Sequence, residues 1–326
     1  MKRHRLALTY LLTGLVLLAA AAFDLCTGAV HLTPAEIFGA VTGSADSRTA
    51  SIVLGLRLPR ILTAMLAGAG LAVSGALMQT VFRNPLADPH ILGVSAGAGT
   101  GVAVATVLSA GTGIVISISA AAGALCTALL IIWISSRIRR ASALLVTGVM
   151  MGFILSALTS AIEYQADEMH LKMFWNWSAG SFEGCGWNGI CLCAAALAAG
   201  SMIAMSQSKG LSLMLFGDEF ASGAGADVRR IRFLSMLACS IMTGTITAFC
   251  GPIGFTGIVA PHIARSAGGK SALKHVIPLS ILTGAAICTA GDILSRIWKT
   301  PLPAGSATAL IGIPLIFFII RKYQDR

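Results

Sequence analysis

Charged residues are scarce in this sequence. Only 11% of its 326 residues are Asp, Glu, Lys or Arg, whereas 56% are hydrophobic. An ordinary soluble domain carries about 25% charged residues, so this chain has too few of them to cover a water-facing surface of its size. The shortage excludes a soluble globular protein and indicates that a lipid bilayer solvates most of the chain.

Two further shortages narrow the fold class. The apolar runs lack the strict alternation of membrane β-strands, and aromatic residues make up only 6% of the chain, which contains 36 glycines. Helices satisfy their own backbone hydrogen bonds in lipid, and small residues let helices pack closely there. We therefore predict an all-α, polytopic membrane protein whose residues 1–326 form a single transmembrane domain.

Catalytic and metal-binding motifs are also missing. The sequence has no H-E-x-x-H, no G-x-S-x-G and no C-x-x-C pair. Gly269-Lys270-Ser271 resembles the end of a P-loop, but Ala264 occupies the position of the required first glycine. We expect no enzymatic activity, no metal site and no bound cofactor in this chain, so ATP and Mg²⁺ would be held by a partner. The sequence does not define the role of Cys185, a cysteine in a predicted loop.

Long apolar runs are what the sequence has in abundance, and about 20 residues suffice for one helical crossing. We predict about ten transmembrane helices, of which the eighth is short and broken by Pro261. The first run is expected to be a retained helix, because further spans follow it. The predicted spans are residues 6–26, 60–80, 91–109, 114–135, 142–163, 188–206, 232–250, 253–267, 276–297 and 304–321.

The net charge of +10 comes from Lys and Arg clusters that lie between the apolar runs. If the N-terminus is cytoplasmic, 17 of the 23 Lys and Arg residues fall on the inner side, as the positive-inside rule requires. We predict cytoplasmic N- and C-termini. Clusters distributed in this way orient a protein in its lipid bilayer and argue against a nucleic-acid partner.

Three loops are long enough to carry structure of their own. The inner loop 207–231 contains acids followed by arginines, and its glycines predict two short helices with a turn, a docking surface for a cytoplasmic partner. In the first outer loop, Thr33-Pro34-Ala35-Glu36 predicts a capped surface helix. The second outer loop, 164–187, has three tryptophans, which favour the membrane interface.

Acidic residues within the predicted spans are few. Glu163 and Asp292 lie near outer ends, and Asp292 is expected to pair with Arg296 one turn later. A carrier coupled to protons or sodium needs acids near the bilayer midplane, so their absence weakens that reading. A stand-alone secondary carrier or channel for a small solute remains the alternative function.

Several long segments, in order along nearly the whole chain, carry a resemblance to a known family. They resemble the permease subunits of ATP-binding-cassette importers for iron–siderophore complexes, haem and cobalamin. The segments are Arg57-Leu58-Pro59-Arg60, Arg83-Asn84-Pro85-Leu86-Ala87-Asp88-Pro89, Leu92-Gly93-Val94-Ser95-Ala96-Gly97, Gly217-Asp218-Glu219, the run 251–265 from Gly251-Pro252 to Ala264-Arg265, Gly291-Asp292 and Pro301-Leu302-Pro303-Ala304-Gly305.

The resemblance implies an assembly in the cytoplasmic membrane of a bacterium or archaeon. Two permease subunits, the same chain or a sibling, would flank a translocation path. Two ATPase subunits would dock below them and an extracytoplasmic solute-binding protein above. It also implies an inverted repeat that relates spans 2–5 to spans 7–10.

The resemblance further implies roles for individual residues. The segment that couples to the ATPase would comprise Phe216, Gly217, Asp218, Glu219, Ala221 and Gly225. Outer arginines that meet acidic groups on the binding protein would be Arg57, Arg60 and Arg296. The path would be lined by Ser156, Thr159, Ser160, Gly251, Pro252, Gly254 and Phe255.

One departure from the family pattern lies in the second outer loop. Trp175-Asn176-Trp177-Ser178-Ala179-Gly180-Ser181 keeps the frame of a Trp followed by a Gly-Ser pair, but adds a second Trp and an Asn. The residues do not identify the chelate, and they do not decide between a homodimer and a heterodimer.

Overall fold

Helices account for the regular structure, and the described residues contain no β-strand. The computed structural model describes residues 2–28, 30–108, 113–135, 137–138, 141–269, 272–298 and 302–324. Lys270 and Ser271 of the P-loop-like run, and the last residue of the predicted third span, lie outside them. The helices are α1 (Lys2–Cys26), α2 (Pro34–Thr42), α3 (Ser47–Ile52), α4 (Leu58–Val81), α5 (Val94–Leu108), α6 (Gly113–Ser135), α7 (Ala141–Glu163), α8 (Glu168–Ser178), α9 (Gly186–Ser206), α10 (Ser208–Met214), α11 (Asp218–Gly223), α12 (Val228–Cys250), α13 (Thr256–Gly268), α14 (Leu273–Arg296) and α15 (Ala304–Gln324).

Each predicted span coincides with a helix to within a few residues. Within the described residues, seven helical stretches are long and apolar enough to cross a membrane, and two shorter apolar helices occupy the third and tenth predicted spans. The eighth coincides with α13, which has only 13 residues. The prediction of about ten helices is therefore confirmed.

Helix α4 lies at the centre of the bundle. An apolar segment of 18 residues within 47–81, the stretch that includes α4, has 83% of its residues buried. The corresponding segment of α7 has 17% buried. Glycines allow its neighbours to come close: a Cβ on Gly68 would lie 2.1 Å from the carbonyl oxygen of Gly284 in α14. The predicted packing role of the small residues is confirmed for Gly68 and also for Gly97, which contacts α6.

The helix neighbours form two matching sets. Helix α4 packs on α14 as α12 packs on α6, and α5 packs on α6 as α13 packs on α14. Under the predicted repeat, α4 to α7 correspond to α12 to α15, and these pairs are then equivalent. The neighbour pattern is the one that such a repeat predicts.

Pro261 lies inside α13 without breaking it, so the prediction of a break there is wrong. A proline cannot donate a hydrogen bond to the carbonyl four residues earlier, which here belongs to Gly257. The side-chain amide of Gln79 in α4 donates to the carbonyls of Gly257, at 3.4 Å, and Ile258, at 3.1 Å. The helix is maintained because a neighbouring helix replaces the missing donor.

Both structured outer loops contain a helix. Helix α2 has the predicted capping box, since the Thr33 hydroxyl accepts from the Glu36 amide and the Glu36 carboxylate accepts from the Thr33 amide. Hydrogen bonds from Thr33 lower the pKa of Glu36. Helix α8 occupies a segment expected to be a loop. Within it Trp175 is exposed, whereas Trp177 packs against Phe174 and the core. That the tryptophans of this loop lie at the membrane interface stays a prediction.

Candidate functional site

The inner loop folds as predicted, into the two short helices α10 and α11 with a turn between them. Three apolar side chains fix the segment to the bundle: Leu211, Met214 and Ala221 are fully buried. The Ser212 hydroxyl also accepts a hydrogen bond from the Leu273 amide at the start of α14, at 3.1 Å. The segment is thus ordered before any partner binds.

The turn between α10 and α11 depends on Gly217. Its φ of +120° and ψ of 156° lie in a region open essentially to glycine alone. The turn places Phe216 and Phe220 side by side, with ring centroids 5.4 Å apart and with 75% and 55% of their surfaces exposed. Two neighbouring exposed aromatic rings on an ordered segment form an apolar contact surface.

The two acids of this segment have different surroundings. Asp218 accepts a hydrogen bond from Arg232 of α12 at 2.8 Å, and the Arg232 side chain is only 7% exposed. Glu219 is exposed. Asp218 therefore fixes α11 to the bundle, whereas Glu219 is available for contact with another molecule.

A stretch of irregular backbone, residues 251–255, separates α12 from α13. Gly251 and Phe255 have positive φ values of 70° and 65°. A Cβ on Gly251 would lie 2.3 Å from the Trp177 carbonyl oxygen, so only glycine fits there. Irregular backbone at membrane depth is tolerated where it faces protein or a cavity.

His90, which the sequence did not single out, connects this segment to the loop after α4. Its Nε2 lies 2.9 Å from the Ile253 carbonyl oxygen, and its Nδ1 contacts the Ser95 hydroxyl. A carbonyl only accepts, so Nε2 carries the proton and Nδ1 accepts from Ser95. Ser95 in turn is 3.3 Å from the Thr247 hydroxyl. The signal in the sequence is a histidine among apolar residues directly after Asp88-Pro89.

The three polar residues predicted to line the path on α7 do not share one environment. Ser156 and Ser160 are exposed on the surface of the chain. Thr159 is buried, and its hydroxyl lies 2.9 Å from that of Thr100 in α5. The hydroxyl of Thr159 therefore serves helix packing, and its place on the path stays a prediction.

Two of the outer arginines, Arg60 and Arg296, are half-buried among acids of the same chain. Arg60 donates from Nε to both oxygens of Asp292, at 2.8 and 2.9 Å, and also pairs with the exposed Glu183. Arg296 forms the predicted pair with Asp292, at 3.0 Å, and a second pair with Asp24. We call these five residues the outer charge cluster. Asp24 and Asp292 are fully buried.

Arg57 also faces inward, so the expectation of exposed charge at this position is wrong. Only 6% of Arg57 is exposed, and its guanidinium donates to the carbonyls of Leu25, at 2.5 Å, and Val30. The side chain thereby ties the outer end of α1 to α4. The sequence analysis missed Asp24, although an acid at the end of an apolar run of about 20 residues is itself a signal that a cation lies nearby.

Cys185 packs with Cys193 and Ile190 in a small apolar cluster. Among the described residues, no group of three or more His, Cys, Asp or Glu is arranged to hold a metal ion. The Cys185 side chain is buried, with its sulfur 2.7 Å from where a Cβ on Gly189 would lie.

These features define a multi-pass helical membrane permease with an ordered inner contact segment and an irregular, glycine-rich segment in its interior. The FecCD transport family model matches residues 15–322. The chain belongs to the FecCD transport family.

Curated relatives from three bacteria are named for different substrates. The Fe(3+)-citrate import system permease protein YfmE of Bacillus subtilis is 34% identical over 100% of this chain and 98% of the relative. The vitamin B12 import system permease protein BtuC of Serratia proteamaculans is 35% identical over 99% and 96%. The hemin transport system permease protein HmuU of Yersinia pestis is 32% identical over 99% and 97%.

A solved structure supports the same fold. An inward-facing structure described as a metal-chelate type ABC transporter superposes with a TM-score of 0.85 at 29% identity, covering 95% of this chain and 97% of that one.

Proposed function

We propose that this chain is the membrane-spanning subunit of an ATP-driven importer that passes a metal chelate of the iron–siderophore, haem or cobalamin type. The observation that carries the proposal is full-length similarity to permeases of such import systems. The sequence identities to these three relatives, 34%, 35% and 32%, are nearly equal and favour none of their three substrates over the others.

The proposed assembly contains a second permease subunit, two ATPase subunits and an extracytoplasmic binding protein. Both termini lie in the cytoplasm, as the distribution of Lys and Arg favours. Alkaline phosphatase fused after Arg326 should then be inactive, while a cytoplasmic reporter at the same position should be active. The reverse result would overturn the orientation.

The inner segment, which comprises α10, α11 and the turn between them, is the proposed contact with the ATPase. Its exposed Phe216 and Phe220 rings offer apolar area, and Glu219 offers a charge. Because Leu211, Met214 and Ala221 anchor the segment in the bundle, a push on it is transmitted to the helices as a rigid-body movement.

The translocation path is proposed to run between two permease subunits. Ser156 and Ser160 lie one turn apart on the exposed side of α7, beside the large apolar side chains Phe153 and Ile154. Gly251, Pro252, Gly254 and Phe255 form the second part of the proposed lining. Uncharged, small side chains suit a bulky chelate that has to pass without binding tightly.

Docking of the binding protein is proposed at the exposed edge of the outer charge cluster. Glu183 is 64% exposed and pairs with Arg60, so a carboxylate of the binding protein has access to Arg60 by displacing Glu183. Arg57 and Arg296 contribute indirectly, because they hold the outer end of α1 in place.

The test is ATP hydrolysis by the complex of permease, ATPase and binding protein in proteoliposomes. Replacing Glu219→Arg should abolish stimulation by the binding protein, since the exposed charge is reversed at the proposed contact. The matched control is Glu168→Arg, a reversal on the outer helix α8, which should leave stimulation at the wild-type level.

Transport of the chelate by the chain alone, driven by an ion gradient and without a co-purifying ATPase, would contradict the proposal. The carrier alternative would then replace it.

A further inference from the structure

Two cavities adjoin along the seam between α6 and α12. The first is a groove of about 860 Å³ whose lining includes residues up to Ile132 on α6 and from Leu237 onward on α12. The second is a cleft of about 1540 Å³ that begins at Ser135 on α6 and ends at Phe233 on α12. The two linings are three positions apart on α6 and four positions apart on α12, which is about one helical turn of 5.4 Å.

The two cavities have opposite chemistry. The lining of the groove contains no Asp, Glu, Lys or Arg and is dominated by apolar and small side chains of α6, α9 and α12. The cleft is lined by four arginines, Arg137, Arg229, Arg230 and Arg232, together with the acids Asp218, Glu219 and Asp227. An apolar groove that ends in a cleft with more arginines than acids matches an acyl chain joined to an anionic headgroup.

Two of the cleft's arginines lie where a helix disfavours them. Arg229 and Arg230 are in the first turn of α12, whose N-terminus carries partial positive charge. Both are exposed. Among the described residues, Arg137 and Arg230 form no ion pair with a carboxylate, whereas Asp218 pairs with Arg232. A bound anion would offset this concentration of positive charge.

Aromatic side chains mark the boundary between the two cavities. Arg137 lies over the ring of Trp133, 4.8 Å from its centroid. Trp133 is 57% exposed and Phe233 is 40% exposed. Tryptophan favours the level of the lipid headgroups, so the cleft lies at the depth of a phosphate and the groove at the depth of acyl chains.

We infer that the α6–α12 seam binds an anionic phospholipid, with its phosphate among Arg137, Arg229 and Arg230 and an acyl chain in the groove. Basic pockets between transmembrane helices on the cytoplasmic side hold such headgroups. The site adjoins α11, so the lipid lies beside the proposed contact with the ATPase. The leaflet follows from the proposed orientation, but the chemistry of the site does not depend on transport.

The test is native mass spectrometry of the permease–ATPase complex, delipidated and titrated with phosphatidylglycerol or with phosphatidylcholine. One phosphatidylglycerol adduct should form in preference to phosphatidylcholine. The double substitution Arg137→Gln with Arg230→Gln should weaken it about thirtyfold, from about 1 kcal/mol per arginine. Ala121→Phe, which fills the groove without changing charge, should also weaken it.

The matched control is Lys274→Gln, which removes an exposed cation from the first turn of α14, outside the cleft. It should leave the adduct unchanged. Equal weakening in this control would reduce the effect to bulk charge and overturn the inference. Competition by inorganic phosphate at the lipid's concentration would assign the cleft to a free anion.

If the double variant loses the ATPase and keeps the lipid adduct, the cleft belongs to the ATPase contact, and the inference is also overturned. A variant that binds the lipid as wild type does but no longer transports the chelate would bear on the proposed function alone.

Discussion

The outer charge cluster and the inner segment were both assigned by sequence to contacts with partners, yet their construction differs. In the outer cluster, Asp24 and Asp292 are fully buried and connect α1, α4 and α14 through Arg60 and Arg296. In the inner segment, apolar anchors hold α10 and α11, and Phe216 and Glu219 remain exposed. Ion pairs hold the outer cluster together, whereas apolar burial, together with the Asp218–Arg232 pair, holds the inner segment and leaves a free surface.

Asp292 is the residue of the outer charge cluster whose substitution has the largest expected effect on stability. Replacing Asp292→Ala should destabilise the protein by about 3–5 kcal/mol, because Arg60 and Arg296 lose a buried partner. Thermal unfolding in detergent, followed by size-exclusion chromatography, measures the loss. An unfolding temperature equal to that of wild type would mean that the cluster does not support the fold.

Gly217 tests whether the inner segment depends on its backbone. Gly217→Ala should cost about 1–3 kcal/mol at the turn, because a φ of +120° is strained for any residue with a Cβ. The expected result is reduced coupling of ATP hydrolysis to the binding protein. Gly223→Ala is the control, since no atom lies within 4 Å of its added Cβ and its φ is not positive.

Phe216 is exposed, so its substitution should affect contact with the ATPase and leave the fold unchanged. Phe216→Ala should weaken binding of the ATPase by about 1–2 kcal/mol, roughly tenfold in Kd. Its thermal stability should stay within about 0.5 kcal/mol of wild type, as for other surface substitutions. Pull-down titration and thermal unfolding measure the two quantities. A stability loss as large as that of Asp292→Ala would remove the distinction between the two regions.

Glu183 gives the smallest expected effect. Its ion pair with Arg60 is solvent-exposed on the carboxylate side, and such pairs contribute about 0–1 kcal/mol. Glu183→Gln should therefore leave the unfolding temperature nearly unchanged, while affinity for the binding protein rises as Arg60 is released. A fall in that affinity would place docking elsewhere.

The sequence predicted the helices well because membrane depth imposes length and composition on each of them. Charge distribution and the glycines at 217 and 225 were enough to predict α10 and α11. The side-chain assignments were less reliable: whether Arg57, Thr159 or Trp177 faces outward depends on how helices rotate against one another. Local composition does not determine that rotation, because most faces of these helices are apolar.

Side-chain partners that are far apart in the sequence could not be predicted either. Asp24 meets Arg296, and Gln79 supports α13 across Pro261. No local pattern links residues so far apart, and their pairing follows only from the packed bundle.

The His90 contact has a consequence for how the two halves of the bundle separate. A hydrogen bond at 2.9 Å weakens steeply with distance and angle, unlike the broad attraction between apolar surfaces. The link between the loop after α4 and residues 251–255 therefore holds only over a narrow range of separation and orientation of these two segments. We expect distances measured across it in single molecules to fall into two populations, and a continuum would argue for gradual sliding.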